Sequence, residues 1–145
     1  MSVNFVGKWK QAAAILKEQQ EQERIRKTKA NEERFFRAER LDVQISEWLH
    51  SEELSVAYWL LVRAGKGKYL ISQFQDNVKL FIRCHALDNI DFITETEKFT
   101  GGTEETSIPP TKLAILLVDK NRDFNWLQKE VRRVLNQIAS RVLNK

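Results

Sequence analysis

The sequence predicts an α+β protein: a long N-terminal helix, an antiparallel β-meander with a central buried strand, and a closing C-terminal amphipathic helix. Three observations carry this expectation. The tract from Val3 to Ser46 contains no proline and is rich in Gln, Glu, Lys and Arg, all good helix formers. Runs between Tyr69 and Cys84 alternate with the period of a strand. From Phe124 to Val142, apolar residues recur at steps of three and four, the period of a helix with one buried face.

The N-terminal helix has an unusual middle. From Lys17 to Arg34 the chain reads KEQQEQERIRKTKANEER, with Ile25 and Ala30 as its only apolar residues. A helix polar all round bridges packed regions, lies against a partner, or frays. Glu23 with Lys27 and Glu33 with Arg37 are acid-before-base pairs four residues apart, which support a helix in isolation. From Phe35 the pattern turns amphipathic through Ala38, Leu41, Ile45, Trp48 and Leu49, so this end is expected to dock on the body. The domain reading is therefore a projecting charged arm, residues 1–34, and one compact α+β domain, residues 35–145.

The segment 52–64 is apolar on all sides and fits two descriptions. Ser51 as N-cap, Glu52 and Glu53 in the first turn and Gly65 past the end suit a helix. Val56, Tyr58, Trp59 and Val62 are strong sheet formers, and a strand is the assignment taken. KYLISQFQ and VKLFIRC flank Asp76-Asn77, residues that tolerate a tight hairpin turn. Val78, Leu80, Ile82 and Cys84 alternate with Lys79, Phe81, Arg83 and His85, a half-buried strand. A short strand is expected at IDFIT, and FTGGTEETSIPPT reads as a loop. KLAILLV, an unbroken apolar run, reads as the central strand buried on both faces. Capping residues from Asp119 to Asp123 then open the last helix, whose stripe is expected to cover the sheet rather than form a coiled coil.

Composition narrows the function classes. With 42% hydrophobic and 30% charged residues, the chain resembles ordinary globular domains. One cysteine, Cys84, rules out an internal disulfide framework, and the lack of an export-signal pattern points to a reducing, cytoplasmic setting. No apolar run approaches the ~20 residues of a membrane-spanning helix. Formal charge is +4, but basic and acidic blocks alternate along the chain and do not build one polyanion-binding field.

Candidate chemistry is sparse. Cys84 and His85 are neighbours on a strand and point to opposite faces, so they cannot form a dyad; His50 could reach Cys84 only through a tertiary contact. One Cys and two His without ligand spacing exclude a zinc centre, and the acids from Asp88 to Glu105 lack the spacing of a calcium loop. No catalytic constellation, metal, cofactor or small-molecule substrate is inferred. What remains is interaction. Phe5, Trp9, Ala13 and Leu16 share one helical face and are the expected partner-binding residues, for another copy of the chain or another protein. The flanking Lys8, Lys10 and Lys17 give this face the composition of a surface-lying membrane helix, but packing stripes far outnumber membrane anchors, so membrane binding is not expected. The alternative is a nucleic-acid-associated factor using a basic helix face, Arg34, Arg37 and Arg40, and a basic hairpin tip, Lys66 and Lys68. Interleaved Glu32, Glu33 and Glu39 weaken that field, which ranks it second.

Overall fold

The computed structural model describes residues 5–86 and 89–144. The expected helix start at Val3 and the acid Asp88 lie outside the described residues. The chain divides into two compact units, Met1–Phe36 and Arg37–Lys145. Helix α1 (Phe5–Leu49) contributes to both. The second unit continues with α2 (Glu52–Ala64), strands β1 (Lys68–Gln75), β2 (Val78–Ala86), β3 (Asn89–Glu97) and β4 (Thr103–Ile108), then α3 (Pro110–Asp119) and α4 (Phe124–Leu143). The class is α+β, with a long N-terminal helix, an antiparallel meander in the order β1-β2-β3-β4, and a closing C-terminal helix.

Two apolar runs take a different form from the one their composition suggests. The segment 52–64 is a helix, not a strand. The Ser51 hydroxyl accepts the Leu54 N–H at 3.3 Å, and Gly65, at φ 81°, donates its N–H to the Leu61 carbonyl. A left-handed C-cap is cheap only for glycine, so these two caps override the sheet propensities between them. Leu54, Ala57 and Leu61 are buried, whereas Val56, Trp59 and Val62 stay exposed. The segment looked apolar on all sides because one of its faces is apolar without being covered.

KLAILLV is likewise not the central strand; it lies in α3. Pro110 sits in the first turn, where its fixed φ suits a helix and its missing N–H costs nothing. Leu113, Ala114 and Leu117 face inward at helical spacing and Ile115 faces solvent. The interior strands are instead β2 and β3. The fourth strand comes from TEETSI, inside the stretch expected to be a loop, and pairs with β3 from Phe92↔Ile108 to Glu97↔Thr103. Only the glycine pair behaves as expected of a turn: Gly101 and Gly102 hold φ near 85°, and Lys98 donates to the Gly102 carbonyl at 3.1 Å.

The first hairpin and the last helix form as expected. Asp76-Asn77 closes the β1–β2 hairpin between Gln75 and Val78. On one face of the sheet, Tyr69, Ile71, Leu80, Ile82, Ile90 and Phe92 form the floor of a single core. Leu41, Ile45 and Trp48 of α1 join it, as do Leu127, Val131, Val134 and Ile138 of α4. Asp123 caps α4 by accepting the Trp126 N–H at 2.8 Å. Edge-on ring contacts join α1 to α4, Trp48 with Phe124 at 5.6 Å, and β1 to α4, Phe74 with Trp126 at 5.8 Å.

Candidate interaction surfaces

Among the described residues of the Met1–Phe36 unit the side chains are exposed throughout, including the large apolar ones. Phe5 is 57%, Trp9 66% and Leu16 59% exposed, and Ala13 is open as well. Phe5 and Trp9, one turn apart, touch with ring centroids at 6.3 Å. Past Leu16 the helix holds itself together by local charge pairing, though not by the pairs the spacing suggested. Glu23 takes Arg26, three residues on, instead of Lys27, and Glu21 takes Arg24 at 2.6 Å. The hydrogen bond from each arginine holds each of these carboxyls below the usual range.

The expected basic residues fall in three settings. Arg34 belongs to the first unit, and Arg37 and Arg40 belong to the second. Arg37 and Arg40 line a cleft with Arg122, a residue 82 positions beyond Arg40 that sequence reasoning had no means of bringing to them. Lys66 and Lys68 do not form a hairpin tip. Lys66 follows the Gly65 cap of α2 in the connection to β1, and Lys68 is the first residue of β1. The Lys66 N–H donates to the Tyr69 hydroxyl at 3.0 Å. The Lys68 ammonium is held by Glu95 at 2.7 Å and Glu105 at 2.8 Å, above the Phe81 ring. Hydrogen bonds to Glu105 and then Glu95 raise its pKa, and they commit its charge internally.

That commitment belongs to a polar lattice on the sheet face opposite the core, which the sequence did not reveal. Arg83 on β2 grips Asp91 on β3 through two bonds, of 3.0 and 2.7 Å, and approaches Glu105 at 3.6 Å. Asp91 also accepts the Ser107 hydroxyl at 3.0 Å and lies 3.8 Å from His85 Nδ1. On this face Ile93, paired with Phe81, is 0% exposed although it lies outside the main core. Long charged chains laid over an apolar residue bury it as a small second core. The register Arg83↔Asp91 and Lys79↔Glu95 produces the lattice, so it was legible only once the strand pairing was known. A Ser, a His and an Asp meet here, but Ser107 bonds the carboxylate and not the imidazole, so no nucleophile is paired with a base.

His50 and Cys84 stay apart in their bonding. His50 Nδ1 lies 2.8 Å from the Ser46 carbonyl, and the half-buried Cys84 thiol donates to the Tyr58 carbonyl at 3.6 Å. Burial pushes the Cys84 thiol pKa up, away from the reactive thiolate. Among the described residues no three His, Cys, Asp or Glu side chains converge as a metal ion would require, and no helix is long and apolar enough to cross a membrane. Compared with protein-family models, curated proteins and solved structures, the chain matches none.

Proposed function

We propose that this is a non-enzymatic assembly protein that pairs with a second copy of itself through the N-terminal third of α1. The observation that supports this reading is the exposed face Phe5, Trp9, Ala13 and Leu16 on a helix whose next two turns offer nothing to bury. Ala12 and Ala13 lie between the large residues, and small side chains there let two helices approach closely. A seam from Phe5 to Leu16 is about 18 Å long at 1.5 Å per residue. Burying Phe5, Trp9 and Leu16 is worth about 1.5–3 kcal/mol each, in each copy. Association costs about 4–15 kcal/mol of lost freedom, so the surplus is modest. The pairing is therefore reversible and concentration-dependent, in the micromolar class. A cytoplasmic setting completes the reading, since the single thiol is half-buried and unpaired.

Changing Trp9 and Leu16 together to serine tests it. Both side chains are exposed in the single chain, so the variant keeps the melting temperature of the second unit. Its mass in solution falls to that of one chain at concentrations where the unaltered protein is paired. Unchanged assembly in this variant would place the contact elsewhere.

A further inference from the structure

The second unit carries a cleft of about 390 Å³ that the assembly reading does not use. Its size lies within the range of small-ligand sites, about 300–1,000 Å³. Arg37, Arg40 and Gln44 stand three and four residues apart, so one face of α1 supplies them. Asn121, Arg122 and Asn125 come from the α3–α4 connection and the first turn of α4. The connection is tightly held: Asn121 adopts a left-handed φ of 56°, and the Arg122 N–H donates to the Leu117 carbonyl at 2.8 Å.

Three guanidiniums and one carboxylate line this cleft. Several basic side chains of the second unit are matched by acids: Arg83 has Asp91, Arg132 has Glu53, Lys68 has Glu95 and Glu105. None of Arg37, Arg40 and Arg122 makes an ion pair among the described residues. The one acid lining the cleft, Asp123, is already engaged, its carboxylate accepting the Trp126 N–H as the cap of α4. Arg122 lies over the Trp126 ring at 5.1 Å, which orients a guanidinium without neutralising it. Like charges gathered around one concavity repel each other, and an anion between them relieves that repulsion. A planar guanidinium fork matches a phosphate oxygen pair, and neutral amides such as Gln44, Asn121 and Asn125 can serve the remaining lone pairs and hydroxyls.

We infer that this cleft binds the phosphate group of a phosphorylated ligand through Arg37, Arg40 and Arg122. The phosphate can belong to a small molecule or to a nucleic-acid strand, and two probes separate these sources. Inorganic tripolyphosphate is titrated into the full chain, with tryptophan fluorescence, to which Trp126 beside the cleft contributes, and melting temperature as readouts. A labelled single-stranded oligonucleotide is titrated separately and then competed with tripolyphosphate.

Tripolyphosphate should bind saturably and raise the melting temperature at physiological salt. Replacing Arg37, Arg40 and Arg122 by glutamine should weaken it at least tenfold without lowering the unliganded melting temperature. Arg24→Gln with Arg26→Gln, at paired arginines outside the cleft, should leave binding intact. Oligonucleotide binding that tripolyphosphate displaces identifies a nucleic-acid phosphate. Its salt slope should then be shallower in the triple variant by roughly 0.7 for each strand phosphate that the three arginines neutralise. Tripolyphosphate binding alone identifies a small phosphorylated ligand. Absence of binding by both probes, or equal binding by the triple variant, overturns the assignment.

Discussion

Replacing Leu127 by alanine should remove about 2–5 kcal/mol of stability, the cost of cutting a fully buried leucine from a packed core. Leu127 is 0% exposed, on the face of α4 that carries Val131, Val134 and Ile138 into the core. The stripe's other leucine, Leu135, lies only partly buried beside that face, so the same change there should cost less. A small domain has about 5–15 kcal/mol in total, so the Leu127 variant should approach the threshold of folding. At several degrees per kcal/mol, its melting temperature should fall by roughly 10–20 °C. Urea unfolding read by far-UV dichroism checks this directly. A loss below 1 kcal/mol would mean that α4 is not packed on the sheet.

The second large effect concerns Glu53, which joins three helices. Its carboxylate accepts the Trp48 indole N–H at 2.9 Å and two Arg132 bonds at 2.7 and 2.8 Å. Trp48 is only 5% exposed, so Glu53→Ala strands its indole donor away from water. An orphaned buried donor costs about 1–3 kcal/mol. Glu53→Gln keeps an acceptor for Trp48 and loses only the charge pairing. Because both partners of that pair are more than a third exposed, screening limits its share to about 1 kcal/mol or less.

The pH dependence follows from the same contacts. The hydrogen bond from Arg132 leads, with that from Trp48 adding to it and burial opposing both, so the Glu53 pKa lies below its ordinary value. A carboxyl depressed in the folded state stabilises the fold above its unfolded pKa. That contribution is lost as pH falls through the depressed value. Stability of the unaltered protein should therefore drop more steeply on acidification than that of the glutamine variant. Parallel acid profiles would remove Glu53 from the account.

What the sequence revealed depended on whether a segment buries one face. Val78, Leu80, Ile82 and Cys84 alternate cleanly because only one side of β2 meets the core, and the α4 stripe is plain for the same reason. β4 was hidden because its residues from Thr103 to Ser107 are exposed, leaving no apolar alternation to read; only pairing with β3 defines it. α2 and α3 were misassigned because apolar residues also occupy their outer faces, Val56 and Trp59 on one and Ile115 on the other. In both, the end signals were the better guide: Ser51 and Gly65 around α2, Pro110 at the start of α3. The apolar stripe on α1 was legible because it is local. The arginine cleft was not, since Arg122 reaches Arg37 and Arg40 only through the tertiary fold.

Self-pairing through α1 is the central claim, and the mass of the unaltered chain against concentration tests it most directly. Sedimentation equilibrium over a hundredfold range around micromolar concentration should show a weight-average mass rising from 17.1 kDa toward twice that value. A mass that stays at 17.1 kDa across the whole range would contradict it.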